Sequence, residues 1–179
     1  MLRLAFPIEI LKKLCYSSFY TTIEKNREWA MIIFKENVLD VDTYLALRKS
    51  VKWKKLSYMQ AKKALENSLY TICAYEFERP VGMGRIVGDG AVICYIQDLV
   101  VVPDAQASGI GGQIVDMLIE YVESLRMEGT EMMLDLMCAK GRELFYQNHG
   151  FIARPTDHLG PGMIQYLTST INSKDSPFS

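Results

Sequence analysis

The sequence predicts an α/β (α+β) domain, a mixed and mostly antiparallel sheet of six to seven strands flanked by helices. Three stretches carry this expectation. "LYTICAYEFERPVGMGRIVGDGAVICYIQDLVVV" is dense in β-branched and aromatic residues and is broken at "ERP" and "GDG". That pattern gives three strands joined by short turns, hence antiparallel. After a small glycine-bearing turn, Ile114, Leu118, Tyr121, Val122 and Leu125 recur on one helical face, which ends before Gly129. "EMMLDLM" is then an apolar strand reached through a helical crossover, and so parallel to its neighbour.

The remaining elements follow in chain order. "MIIFKEN", Met31 to Asn37, alternates as a first strand. Tyr44, Leu45, Leu47, Val51 and Trp53 have helical spacing, with Asp42 as the expected N-cap. Ser57 caps a second helix, "YMQAKKALENS". "AKGRELFYQNHGF" gives a short helix stopped by Gly150, and "GFIARP" and "GMIQYLT" are expected to be two closing strands. With no repeat or long linker, one domain over 31–168 is expected. Residues 1–30 read as an N-terminal extension, either a segment upstream of the domain proper or a packed helix. Residues 169–179 read as a polar, disordered tail.

Composition excludes several function classes. Among 179 residues, 20 Lys and Arg face 21 Asp and Glu, so no global field draws the chain to nucleic acid or anionic lipid. "KWKK", Lys52 to Lys55, reads as a solvated face. No apolar run approaches the roughly 18 residues of a membrane helix, and Pro7, Glu9 and Lys12-Lys13 interrupt any leader-like stretch. Cys15, Cys73, Cys94 and Cys138 lack CxxC spacing and read as free thiols of a reducing cytoplasm, with Cys138 packed. Two histidines, His149 and His158, are too few for a His-rich metal site, and no metal is expected. His149 reads as a helix C-terminal residue, and "HLGPGM" as a loop between the last strands.

Gln106, Gly109 and Gly111 form Q-x-x-G-x-G between an apolar strand and a helix. The first amides of such a helix lack intrahelical partners and its dipole favours an anion, above all a phosphate. Glycines let the anion approach the main chain, and Ala107 and Ser108 keep the rim small. The pattern lacks the Lys and hydroxyl of a P-loop, and its glycine spacing is not that of a dinucleotide fingerprint. "GMGRIVG", Gly82 to Gly88, reads as strand and bulge glycine. A plain glycine turn without ligand is the alternative for Gly109 and Gly111.

"LVVVPDAQASGIGGQIVDML" and "ELFYQNHGF" together, in this order and separated by a strand, resemble the two signatures of the GNAT N-acetyltransferase superfamily. The resemblance spans about Met31 to Thr168. It implies acetyl transfer from acetyl-CoA directly to an amine, without an enzyme nucleophile or metal. It further implies that the main chain of Leu99, Val100 and Val101 pairs with the pantetheine arm. The turn Gln106, Ala107, Ser108, Gly109, Ile110, Gly111 and Gly112 then holds the pyrophosphate.

By the same resemblance Tyr146 matches the proton donor to the departing thiolate. A reference phenol pKa of about 10 against about 8.5 for a thiol suits that role. A core-facing aromatic is the alternative. A backbone N–H near Val101 is placed to polarise the thioester carbonyl. Asp98, the carboxylate just before the apolar part of the strand, is either a base acting through water or a structural pairing group. Tyr95 and Gln97, on the other face at period two, are candidates for the acceptor pocket. Arg48 and Trp53 fall where the family builds part of its acceptor site and would suit a carboxylate-bearing acceptor, whereas Tyr44 reads as core. The reading is an N-acetyltransferase acting on a small-molecule amine, with a homodimer compatible. Its rivals are a protein or peptide acetyltransferase, a noncatalytic acyl-CoA-binding module, and a nucleotide-binding turn.

Overall fold

The computed structural model describes residues 18–25 and 28–167. Cys15, part of the expected N-terminal extension and the tail 169–179 lie outside the described residues. The described residues form two compact units, divided between Met137 and Cys138.

The first unit carries one sheet of six strands in chain order. They are β1 (Ser18–Lys25), β2 (Glu28–Glu36), β3 (Tyr70–Glu76), β4 (Arg79–Gly88), β5 (Ile93–Val101) and β6 (Met133–Leu136). Neighbours from β1 to β5 are antiparallel, and β6 is parallel to β5. This is the mixed, mostly antiparallel sheet expected from the hairpins and the crossover. β1 and the start of β2 fall before Met31, so the sheet reaches into the segment expected to be an extension, and the described part of that segment is strand.

Helix α1 (Val41–Ser50) starts two residues earlier than the apolar spacing suggests. Its cap is Asp40, whose carboxylate accepts the Thr43 N–H at 2.8 Å, and the expected cap Asp42 sits inside the first turn. Two adjacent Asp residues both fit the composition of a cap, and only the extended backbone at Asp40 decides between them. Helix α2 (Tyr58–Glu66) has the expected Ser57 cap, completed by Gln60 as a capping box. Helix α3 (Ile110–Leu125) buries Ile110, Ile114, Val115, Leu118 and Val122. Its apolar stripe fits the sheet because β4 is notched: a Cβ on Gly84 would stand 2.8 Å from Ile114 Cγ2 and 2.9 Å from Leu118 Cδ1. Gly82 and Gly84 of "GMGRIVG" are strand glycines, as expected, with the register shift at Gly84, and their missing side chains make room for α3. Between them and the next glycine, Arg85 points to the opposite face, where its guanidinium reaches Ala64 O of α2 at 3.3 Å. α3 therefore covers one face of the sheet, and α1 and α2 the other.

In the second unit, α4 (Glu143–Gln147) is followed by Gly150 at φ +87°, the left-handed stop expected there. The expected strands at "GFIARP" and "GMIQYLT" do not form over the described residues to Leu167. A strand needs a laddered edge and a buried face, yet Pro155 and Pro161 offer no N–H and Ile152, Met163 and Leu167 are exposed.

Cys73 and Cys94 are buried free thiols, whereas Cys138 is exposed and not the packed thiol expected from the sequence. Burial pushes the Cys73 thiol up to about 11. Because the thiolate is the nucleophile, iodoacetamide at pH 8 is expected to alkylate Cys138 and spare Cys73 and Cys94 until urea unfolds the chain. Peptide mapping reads this directly, and early labelling of Cys73 would refute it.

Candidate active site

Gly109, at φ +88°, is the N-cap of α3, and Ala107 at φ +60° is also left-handed. Nothing lies within 4 Å of a Cβ built on Gly109, so its glycine is required by backbone conformation and not by crowding. No side chain caps α3, and its first turn carries no acidic residue. The first ladder bond, Gln113 N–H to Gly109 O at 3.1 Å, leaves the amides of Ile110, Gly111 and Gly112 without helical acceptors. The turn itself is held from within. Ser108 Oγ donates to Ala105 O at 2.6 Å, and Gln106 Nε2 donates to Val101 O at 3.0 Å. The Gln106 side chain thus ties the turn to the strand, leaving its main chain as the anion-facing part.

β5 supplies the second element. β6 pairs with it only from Ile93 to Ile96, so beyond Ile96 that edge has no strand beside it among the described residues. Val102 N–H bonds Val81 O at 2.9 Å across to β4. Strand alternation then turns the N–H and C=O of Leu99 and Val101 to the open edge. The Val101 carbonyl is the one that Gln106 takes.

Between these halves β5 contains an extra residue. Arg85 pairs with Gln97 and Met83 with Val100, so Asp98 and Leu99 together oppose Gly84. Asp98 is the bulge, at φ +58°. Its carboxylate is buried, with its side chain 1% exposed, and both oxygens are taken. Tyr44 donates its phenol to Oδ2 at 2.6 Å, Arg85 Nε donates to Oδ2 at 2.8 Å, and Arg48 pairs with Oδ1. This is the pairing alternative for Asp98. A carboxylate bound by two guanidiniums and a phenol, with its side chain 1% exposed, lacks the access to water that a water-relayed base needs. Burial, and then the bond to Asp98, holds the Tyr44 phenol above its ordinary value. Tyr44 is core, as expected, but its hydroxyl belongs to this cluster.

The bulge also corrects the placement of Gln97. Period two puts Gln97 opposite Asp98, but the left-handed turn brings the Asp98 carboxylate to the Gln97 side, where Gln97 Nε2 reaches Oδ1 at 3.3 Å. Tyr95, two residues earlier, is half-buried, and burial raises its phenol pKa. On α1, Arg48 is bound to Asp98 and reaches Lys54 O at 3.3 Å, with its guanidinium 5.1 Å from the Trp53 ring centroid. Trp53 is 40% exposed. Arg48 and Trp53 are therefore brought together, but the charge of Arg48 is already committed to Asp98.

In the second unit Tyr146 lies on α4, with its ring edge-on to Phe145 at 5.0 Å and to Phe151 at 5.9 Å. Phe151 N–H returns to Tyr146 O at 3.1 Å and fixes the Gly-Phe corner. His149 is in ring contact with Phe145 at the helix end.

Residues 66–153 match the family model of the acetyltransferase (GNAT) domain. This span holds the bulge, the open edge, the uncapped turn and α4. Over that span the chain is similar to the GNAT acetyltransferases. An uncharacterized ycf52-like N-acetyltransferase of Prochlorococcus marinus is 28% identical over 137 residues, 74% of either chain. A probable acetyltransferase of unknown function from meticillin-resistant Staphylococcus aureus superposes with a TM-score of 0.67 at 28% identity, over 76% of this chain and all of that one. A GNAT-family acetyltransferase of Streptococcus pneumoniae gives 0.63 at 25% identity, over 78% of this chain and all of that one.

Arg85 and the Tyr44 hydroxyl are the participants that sequence reasoning missed. A lone arginine between apolar strand residues, thirteen positions before a lone strand aspartate, was the available signal. No group of three metal-ligating side chains occurs among the described residues. No helix there is long and apolar enough to cross a membrane.

Proposed function

We propose that this acetyltransferase moves the acetyl group of acetyl-CoA directly to a primary amine of a small molecule. The observation that carries the reading is the uncapped start of α3 beside an unladdered stretch of β5, two sets of unpaired amides joined by Gln106. The amides of Ile110, Gly111 and Gly112 suit a pyrophosphate. The open edge at Leu99 and Val101 suits an extended amide-bearing arm laid down as an added strand.

The co-substrate supplies an activated thioester, and the chain's residues do the rest. The Val101 N–H polarises the carbonyl as charge develops on its oxygen. The amine nitrogen forms the new N–C bond, the C–S bond breaks, and Tyr146 gives its proton to the departing sulfur. The ammonium proton passes to water, since Asp98 is already bound to two guanidiniums and a phenol, and the Tyr146 phenolate regains its proton from solvent. Arg48, Trp53, Tyr95 and Gln97 are the acceptor-side residues of this reading, in a cytoplasmic enzyme.

Titration calorimetry with acetyl-CoA tests it. Wild type is expected to bind in the micromolar range and to ignore ATP and GTP. Gly111→Glu, which puts a carboxylate where the phosphate would sit without harming the helix dipole, is expected to lose at least tenfold in affinity. Thiol release in an amine screen then separates turnover from mere binding. Failure of wild type to bind acetyl-CoA overturns the reading, and binding without any turnover favours a noncatalytic module.

A further inference from the structure

The carboxylate of the residue at the bulge is held by Tyr44, Arg48, Arg85 and Gln97. We propose that Asp98 is a positioning residue that sets which amides β5 turns to its open edge, with Tyr44, Arg48 and Arg85 as the clamp that keeps it there. The inference rests on the acetyl-CoA reading and deepens it.

Parity is the core of the argument. Asp89 N–H bonds Ile93 O at 3.1 Å, so up to Ile96 the even-numbered residues of β5 direct their amides away from β4. An unbroken strand would continue that alternation and present Asp98 and Val100. The extra residue at Asp98 shifts the count by one, and Leu99 and Val101 are presented instead. Removing the bulge would thus turn the amide assigned to the thioester carbonyl into the β4 ladder. It would also take the Val101 carbonyl away from Gln106.

The backbone alone does not secure this. At φ +58° Asp98 occupies a region that Asp and Asn tolerate but do not prefer, so the surroundings must favour it. Here they do so through the side chain. Tyr44 and Arg48 come from α1, and Arg85 comes from the strand opposite. The Arg85 guanidinium is itself anchored to Ala64 O at 3.3 Å and Ser68 Oγ at 3.2 Å, so the clamp is rooted in α2 and its C-terminal turn. A carboxylate gripped from a helix and a neighbouring strand can rotate only if both let go.

The test is the double variant Asp98→Asn/Arg85→Gln, which removes one negative and one positive charge together and keeps a residue that tolerates the left-handed region. Acetyl-CoA affinity is read by calorimetry, and amide hydrogen exchange is read at Leu99 and Val101 and along α3. Expected are affinity at least tenfold weaker and faster exchange at Leu99 and Val101, with α3 exchange unchanged. Wild-type affinity in a folded variant overturns the proposal, as does a rise in exchange spread equally over α3, which is what a merely structural tie gives. Wild type failing to bind acetyl-CoA sinks the functional reading instead. Should the double variant not fold, Arg48→Gln leaves the Asp98–Arg85 pair neutral. It is expected to weaken binding at least threefold with the same local exchange, and wild-type values there overturn the clamp.

Discussion

Asp98→Ala is expected to cost about 3–5 kcal/mol of folding stability, the range for removing one partner of a buried ion pair. The side chains of Arg48 and Arg85 are only 13% and 10% exposed, so both would keep their charge in a poorly solvated site with no carboxylate near. Arg48 Nε already has no hydrogen-bond partner there, which leaves little slack for a second loss. The Tyr44 phenol, 1% exposed as a residue, would lose the acceptor of its 2.6 Å bond at the same time. Urea unfolding followed by circular dichroism measures the loss, with the slope checked against wild type to confirm that the same transition is compared. The charge-matched Asp98→Asn/Arg85→Gln variant is expected to lose less, because it removes a guanidinium together with its counter-ion. A loss below about 1 kcal/mol for Asp98→Ala would place the cluster in the weak class of solvated surface pairs.

That cluster marks the limit of what could be read from the sequence. The hairpins, the crossover and the Ser57 cap are local events, each set by residues a few positions apart. The turn at Gly109 was legible for the same reason, since a glycine in the left-handed region and an uncapped helix start are written in six consecutive residues. Asp98 was visible as an isolated strand carboxylate, but its partners lie 54, 50 and 13 positions away, and no period connects them. The bulge had no local marker either, because glycine, the usual sign, stands on the opposite strand at Gly84 while the left-handed residue is an aspartate. Once the bulge is missed, every face assignment along β5 from Asp98 onward shifts, and Gln97 and Asp98 fall on opposite faces. The closing strands failed on a different ground. Their β-branched and aromatic content was sufficient, but propensity supplies no ladder partner, and "ARP" and "GPG" interrupt any pairing.

Tyr146→Phe is expected to lower turnover by about 10²-fold while leaving acetyl-CoA affinity at its wild-type value. The substitution deletes one hydroxyl and keeps the ring, so the edge-on contacts with Phe145 and Phe151 persist, and the Phe151 N–H bond to the residue 146 carbonyl does not involve the side chain. At Asp98, by contrast, truncation removes a buried charge partner and lowers folding stability as well. The assay follows thiol release with an amine taken from the acceptor screen, at saturating acetyl-CoA. A donor to the leaving sulfur acts after both substrates are bound, so the loss should fall on kcat with the acceptor KM little changed. Raising the pH should not restore the variant, since no group at residue 146 remains to be titrated. Full turnover in Tyr146→Phe would assign the residue to aromatic packing on α4 and require the sulfur to take its proton from solvent.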